Sequence, residues 1–197
     1  ANTTSINENY KMTSMDIGPG NCLIDKWLIA NSDKNFDKNG DIARSGKIDK
    51  FILEQTIDNF YYSKISKKKS LDINDFDISF AKGLSLEDGA ATITELTADI
   101  ISKKLPDEDT FVCGGGRKNN FLINTIENKI RNKIYMIDDM DIDGDFIVMV
   151  LYIFPFFGGY HIFFCYKSYI VQVGKVGIGT KVCCRLKGYS YSNLLIV

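Results

Sequence analysis

The sequence predicts an α/β fold from the order of its elements, and its composition and charge set the limits of that prediction. Short β-prone runs, glycine turns and amphipathic helical stripes follow one another, and this strand–turn–helix unit occurs twice. The 197 residues are 45% hydrophobic and 25% charged, which excludes collagen-like, coiled-coil and wholly disordered chains. Finally, the charge changes abruptly at Asp145. Residues 1–145 hold 19 basic and 25 acidic residues, a net charge of −6, whereas residues 146–197 hold five basic residues and no acidic one.

The first unit is predicted over residues 10–31. A β-prone run at 10–17 ends in the turn Gly18-Pro19-Gly20, and a helix is predicted from Asn21. Apolar residues recur there at helical spacing, namely Leu23, Ile24, Trp27 and Leu28. The polar stretch 31–46 predicts a loop, and a second helix follows with the buried stripe Leu53, Ile57 and Phe60.

The second unit is predicted over residues 110–130, between a third helix and a last strand. Ser85 and Asp88 resemble a capping box before a third helix, whose apolar stripe is Ile93, Leu96, Ile100 and Ile101. Residues 110–113 predict a strand, and residues 114–116 are a tight glycine turn. A fourth helix then has the stripe Ile123, Ile126 and Ile130, and a last strand is predicted over 134–137.

The two glycine turns are the candidate binding elements. Glycine lets the backbone approach a ligand closely, and free N–H groups at a helix start favour phosphate oxygens. Asp16, at the end of the first strand, is a carboxylate that could hold the water shell of Mg²⁺. Neither turn is a P-loop or a GxGxxG motif. Each turn alone is explained equally well by a backbone that needs a positive φ, so both interpretations stay open.

Composition also bears on the binding partners and the cellular compartment of the protein. The acidic first part argues against nucleic acid, and the basic run 67–69 is interpreted as a solvated loop. Five scattered cysteines without ligand spacing favour buried thiols in a reducing cytoplasm. The apolar run 146–157 is too short to span a membrane, so a membrane partner is not expected.

Five segments in order resemble the anhydro-N-acetylmuramic acid kinase family. The first, DIGPGNCLID, is similar to the family signature DTGPGN-x-LID. The others are similar to the family's YDKDG-x-x-A-x-SGK, ATLTELTA, CGGG-x-x-N and GIDGD segments. They lie at residues 16–25, 36–47, 91–98, 113–119 and 141–145, and the resemblance covers about residues 1–147.

The resemblance implies the C-terminal lobe of the acetate and sugar kinase, Hsp70 and actin (RNase H-like) fold, with ATP between two lobes. It implies an ATP-dependent transferase that opens 1,6-anhydro-N-acetylmuramic acid with water and phosphorylates it to N-acetylmuramic acid 6-phosphate in peptidoglycan recycling. It further implies that the first turn lies by the phosphates and the second by the adenosine, and that Asp16 contacts Mg²⁺ indirectly. The residues concerned are Gly18, Gly20 and Asn21 in the first turn, and Gly114, Gly115, Gly116 and Asn119 in the second.

Some family features have no counterpart in this sequence. The GTSxDG phosphate loop and the catalytic Asp of the family's N-terminal lobe are not found, so no catalytic residue is assigned and this chain alone is predicted to be inactive. The missing N-terminal lobe on another chain is therefore one candidate partner, and the resemblance implies a homodimer partner as another because family members are commonly dimeric. The family's PPKS segment reads KKKS at 67–70, which puts the rigidity of that loop in doubt.

The predicted division is a kinase lobe at 1–147 and a divergent tail at 148–197. The family pattern and every acidic residue stop together at this boundary, so we interpret the tail as out-of-frame translation or a degraded end. Its β-branched and aromatic content favours strands, and the single histidine, His161, is interpreted as packed rather than catalytic.

Two alternative functions remain at this point. An inactive kinase remnant would keep the fold without the activity. A calcium-binding module is suggested by residues 35–40 and 139–144, which match the first half of an EF-hand loop. Both loops lack the required Glu at position twelve, where Gly46 and Val150 stand, and this favours ordinary acidic turns.

Overall fold

Five strands form the main sheet, and their order brings together distant parts of the chain. The computed structural model describes residues 1–6, 12–140, 144–145, 154–156, 159–166, 169–176 and 193–196. Its strands are β1 (Asn2–Ile6), β2 (Met12–Asp16), β3 (Thr110–Cys113), β4 (Ile134–Met136), β5 (Phe154–Phe156), β6 (Gly159–Tyr166), β7 (Tyr169–Val176) and β8 (Asn193–Ile196). The main sheet has the order β2-β1-β8-β3-β4. β1 is antiparallel to β2 and β8, whereas β3 is parallel to β8 and β4.

The described residues also form five α-helices. They are α1 (Cys22–Asn31), α2 (Asp41–Ser45), α3 (Lys50–Tyr62), α4 (Leu86–Ser102) and α5 (Asn120–Glu127). The main core joins Val112 of β3 and Ile17 after β2 to the buried faces of α1, α4 and α5. A smaller cluster packs α3 on the other side of α4 through Leu53, Phe60, Leu96 and Ile100. The mixed α/β architecture predicted from the sequence is therefore confirmed.

Helix α4 is the central helix of the core. The Ser85 hydroxyl accepts a hydrogen bond from the Asp88 N–H at 3.1 Å, as the sequence predicts. The Asp88 carboxylate turns outward and accepts from the Lys47 N–H at 2.7 Å, which ties the preceding loop to α4. Trp27 of α1 packs closely against Gly89, where a Cβ would be 2.2 Å from the indole. Small residues on α4 thus let the helix that follows the first glycine turn pack closely.

Several boundaries differ from the sequence expectations. The predicted loop 31–46 contains α2, because the Asp37 carboxylate accepts the N–H groups of Ile42 and Ala43, each at 2.9 Å, and so caps this short helix. The fourth helix ends at Glu127 rather than including Ile130, which still packs against the core. β1 was not predicted from the sequence, and of the run 10–17 only 12–16 is strand, with 10–11 outside the described residues.

Part of the tail forms a second sheet. β5, β6 and β7 are antiparallel neighbours in that order, which confirms the preference for strands over these residues. His161 lies in β6 opposite Lys175 in register, and most of the run 146–157 lies outside the described residues. Within the part of the chain that the structure describes, no helix is both long and apolar enough to cross a membrane.

Candidate functional site

The first glycine turn joins β2 to the start of α1. Gly20 has a φ of +59°, a conformation that glycine adopts without strain. Gly18 lies behind the turn, where a Cβ would be 2.9 Å from the Ile101 side chain of α4. One side of the turn therefore packs closely against the core. Gly20 and Asn21 lie on the other side, at the beginning of α1, where they line a cavity. This places the start of a ten-residue helix at a cavity.

The second glycine turn joins β3 to α5. Gly114 has a φ of +80°, and one 3₁₀ turn over Gly115–Lys118 follows it. Asn119 is buried, with 2% of its surface exposed, and its side-chain oxygen accepts from the Leu122 N–H at 3.1 Å. Asn119 is therefore the N-cap of α5, a role in which an asparagine side chain is strongly preferred.

One hydrogen bond joins the two turns. The Asn119 side-chain amide donates to the Asn21 side-chain oxygen at 3.2 Å, across 98 residues of sequence. Between the turns lies an open cavity of about 430 Å³. Its walls include Gly20 and Asn21 from the first turn and Gly115 and Gly116 from the second. A cavity of this size is within the range of small-molecule sites.

Asp16 stands at the edge of this cavity and is held by its neighbours. Its carboxylate accepts from the Ser70 hydroxyl at 3.0 Å and from the Asn2 side-chain amide at 3.3 Å. The Ser70 hydroxyl oxygen also accepts the Asp16 N–H at 3.0 Å, and the Leu71 N–H donates to the Asp16 carbonyl at 2.8 Å. The last residue of the KKKS segment thus fixes Asp16 even though the prolines of the related segment are absent.

Asp25 is a second carboxylate in the cavity wall, one helical turn after Asn21. It is half-buried, and this burial, together with the nearby charge of Asp37, raises its pKa to about 6. Because burial disfavours its ionised form, this carboxylate gains from a cation placed beside it.

A buried arginine holds the second turn in place. The Arg117 guanidinium makes a two-pronged pair with Asp138, with Nε–Oδ2 at 2.7 Å and Nη2–Oδ1 at 3.0 Å. It also donates to the Gly114 carbonyl at 2.9 Å and to Asp145 at 2.5 Å. The Gly114 N–H in turn donates to the Gly144 carbonyl at 3.0 Å. Arg117 thereby holds down the pKa of the Asp138 carboxyl, and with Lys118 it lowers the pKa of Asp145 to about 2.

The structure brings five of the predicted site residues to the cavity wall, namely Asp16, Gly20, Asn21, Gly115 and Gly116. Gly18, Gly114 and Asn119 lie behind it and shape the turns. Asp25 was missed as a site residue, although it lies inside the matched segment DIGPGNCLID and four residues after Asn21, the helical spacing that returns a side chain to the same face. Arg117 was missed because its partners are distant in sequence.

The calcium-binding alternative receives no support from the described residues. Among them, no group of three or more His, Cys, Asp or Glu side chains is placed to hold a metal ion. In the first EF-hand-like loop the Asp37 carboxylate already accepts two backbone N–H groups of α2. Residues 141–143 of the second loop lie outside the described residues.

Comparison with known proteins gives a consistent result. The family profile described as anhydro-N-acetylmuramic acid kinase matches residues 1–154. A protein of that name from Pelagibacter ubique (strain HTCC1062) is 44% identical over 150 residues, covering 71% of this chain and 40% of the relative. Those from Zymomonas mobilis and Rhodospirillum rubrum are 32% and 34% identical, covering 74% and 73% of this chain. The chain spans about 40% of the length of these curated relatives.

Proposed function

This chain belongs to the anhydro-N-acetylmuramic acid kinase family, and from that premise we propose that it forms the ATP-binding part, the C-terminal lobe, of a sugar kinase of the actin-like fold. The proposed reaction opens 1,6-anhydro-N-acetylmuramic acid with water and transfers a phosphoryl group to it. The observation that supports the proposal is the meeting of the two glycine turns in one cavity, joined by the Asn119–Asn21 hydrogen bond.

The nucleotide would lie between the turns. Gly20 and Asn21 stand at the start of α1, where backbone N–H groups and the helix dipole favour phosphate oxygens. Gly115 and Gly116 leave the opposite wall without side chains, which suits a flat adenosine group. In this arrangement Gly18, Gly114 and Asn119 act by shaping the two turns.

The charge of the cavity wall supports a role for Mg²⁺. Asp16 and Asp25 both line the cavity, and its described lining contains no Lys or Arg. Two carboxylates that face an anionic nucleotide favour a cation here, and carboxylate oxygens are suitable ligands for Mg²⁺ or its water shell. Bound Mg²⁺ would neutralise charge on the phosphates during transfer. Asp16 and Asp25 would hold that ion or its water shell.

Turnover of the sugar is proposed to need residues beyond these 197, supplied by a second lobe. We expect the chain, mixed with ATP, Mg²⁺ and 1,6-anhydro-N-acetylmuramic acid, to release no ADP above the level seen without sugar. A coupled ADP-release assay measures this. Sugar-dependent ADP release by the chain alone would contradict the expectation. A cytoplasmic location belongs to the same proposal and is checked by cell fractionation.

Titration with ATP, with and without Mg²⁺, tests the binding proposal. We expect calorimetry to show that ATP binds and that Mg²⁺ raises its affinity. In Asp25→Asn the rise in affinity caused by Mg²⁺ is expected to be about tenfold smaller, because one carboxylate is lost. Asp33→Asn, which neutralises an exposed carboxylate just beyond the far end of α1, is the matched control and is expected to have no effect. Absence of ATP binding by the folded wild-type chain would contradict the proposal that this lobe binds the nucleotide by itself.

Asp25→Asn is also expected to raise stability at neutral pH. Asp25 has a pKa of about 6 in the folded chain and near 4 in the unfolded chain. The free energy of unfolding of the wild type therefore falls as pH rises from 4 to 6, because Asp25 ionises more easily in the unfolded chain. Allowing for solvent screening of a half-buried group, the gain at pH 7.5 is roughly 1 kcal/mol, and it disappears at about pH 4. Thermal unfolding at the two pH values measures it. Equal melting temperatures of variant and wild type at pH 7.5 would contradict this explanation.

A further inference from the structure

One asparagine side chain links the start of α5 to the first glycine turn. The first N–H groups of a helix lack a carbonyl acceptor one turn before them, and in α5 the Leu122 N–H donates instead to the Asn119 side-chain oxygen at 3.1 Å. The Asn119 side-chain nitrogen donates in turn to the Asn21 side-chain oxygen at 3.2 Å. Asn119 is buried, whereas Asn21 lines the cavity. A buried residue is thus in contact with a residue that a ligand can reach.

The Leu122 N–H fixes the orientation of both amides. A backbone N–H can only donate, so the end of Asn119 that faces it must be the oxygen. The other end of Asn119 is its NH₂ group, which also only donates, so the end of Asn21 that faces it must be the oxygen as well. The NH₂ group of Asn21 is therefore turned away from Asn119. Within the described residues, this group donates no hydrogen bond to another part of the chain.

Gly40 keeps Asn119 in this orientation. It has a φ of +72°, and a Cβ there would be 2.3 Å from the Asn119 side-chain oxygen. The neighbouring Asn39 side-chain oxygen accepts from the Asn120 side-chain amide at 2.6 Å, which holds this loop against the start of α5. The Asn119 side chain is therefore enclosed at its oxygen and has little room to turn over.

Asn21 also departs from the usual behaviour of its position. It is the N-cap residue of α1, where an asparagine side-chain oxygen commonly accepts an N–H of the helix. Here the side chain makes no such hydrogen bond to α1, and its oxygen contacts Asn119 instead. The N–H groups at the start of α1 are therefore left uncapped by that side chain, beside the cavity. An anion in the cavity is a suitable acceptor for them.

We propose that Asn119 is a positioning residue, which keeps Asn21 from capping α1 and turns the Asn21 NH₂ group toward the cavity. A phosphate oxygen then accepts from this NH₂ group and from the N–H groups at the start of α1 at the same time. The ligand is a polyphosphate group. That this group belongs to ATP rests on the proposed function, whereas the role of Asn119 does not.

Titration of the full chain with ATP and with inorganic triphosphate, both with Mg²⁺, tests this role. In Asn119→Ser the hydroxyl can still cap α5, but the shorter side chain does not reach Asn21, whose oxygen becomes available to cap α1. We expect a loss of affinity of at least about tenfold for both probes, because the ligand loses a donor and must displace the new cap. The melting temperature is expected to stay the same or rise, because both helices are capped. A residue needed only for folding would lower affinity and melting temperature together.

Asn120→Ser is the matched control. It makes the same replacement at the next residue, which is exposed and contacts Asn39 rather than Asn21. Its affinity for both probes is expected to equal that of the wild type. Asn21→Ala is expected to lower the affinity as well, and Asn119→Ser is expected to lower it little further in that background, because Asn119 acts through Asn21.

Each outcome decides the inference. Wild-type affinity of Asn119→Ser, a melting temperature that falls in step with its affinity, or additive losses in the double variant would overturn it. Triphosphate binding with the expected losses but without ATP binding would support it and contradict the proposed nucleotide site, and binding of neither probe by the folded wild type would contradict both. If Asn119→Ser does not fold, the NMR signal of the Asn21 side-chain amide in the wild type is measured instead. This signal is expected to shift when triphosphate is added, and an unchanged signal would overturn the inference.

Discussion

Replacing Arg117 with methionine is expected to lower the free energy of unfolding by about 2–3 kcal/mol. The Arg117 side chain is 8% exposed and donates to Asp138, Asp145 and the Gly114 carbonyl. Methionine keeps much of the volume but removes the Arg117 donor from all three acceptors, of which Asp145 keeps its pairing with Lys118. The side chains of Asp138 and Asp145 are 45% and 43% exposed, so water can donate hydrogen bonds to them in the variant. The expected loss of free energy of unfolding is therefore smaller than that for a fully buried ion pair.

The matched control is Arg44→Met. Arg44 pairs with Asp41 on the surface, and both side chains are about half exposed. An exposed pair of this kind contributes little, so we expect a loss of less than about 0.5 kcal/mol. Chemical denaturation of both variants makes the comparison. Equal losses for the two variants would contradict a special role of the buried arginine.

The pH dependence of Arg117→Met gives a second test. Arg117 lowers the pKa values of Asp138 and Asp145, so their contribution is complete above the unfolded pKa near 4 and is lost as pH falls toward 2. The difference between wild type and variant should therefore shrink on acidification. A difference that stays constant from pH 7 to pH 2 would point to packing rather than charge.

Replacing Gly115 with valine is expected to lower ATP affinity at least tenfold, about 1.4 kcal/mol, with little effect on folding. Gly115 is exposed in the cavity wall, and a Cβ built there meets no atom within 4 Å. Its φ lies outside the positive region that disfavours side chains. The added methyl groups therefore project into open space that the nucleotide would occupy, and calorimetric titration measures the loss.

Ala30→Val is the control for this variant, since it adds the same atoms at an exposed position near the end of α1. We expect its ATP affinity to equal that of the wild type and the melting temperatures of both variants to change little. Unchanged affinity of a folded Gly115→Val chain would place the nucleotide elsewhere.

Local patterns predicted the parts of the fold that depend on nearby residues. The cap at Ser85, the strand at 110–113 and the start of α1 follow from short-range hydrogen bonding and apolar spacing. α2 was missed because its cap, Asp37, stands four residues before the helix and looks like part of a polar loop. β8 was missed because strand pairing over such a separation leaves no local signal.

The candidate site likewise has features that the local sequence predicts and features that depend on distant contacts. Glycines next to a strand and a helix start were recognisable as a pair of turns, but their meeting depends on the Asn119–Asn21 contact across the fold. The perturbed pKa of Asp25 arises from burial and from Asp37, neither of which a spacing pattern reports. Arg117 lies next to the second turn in sequence, yet its role depends on Asp138 and Asp145.

Hydrogen exchange of the full chain in the presence of ATP and Mg²⁺ tests the central claim most directly. The claim is that the two glycine turns form one nucleotide site, so both peptides, 16–25 and 113–119, are expected to gain protection at the same ATP concentration. The surface helix α3 is expected to show no change. Protection of only one turn, or ATP binding that protects neither, would contradict the claim.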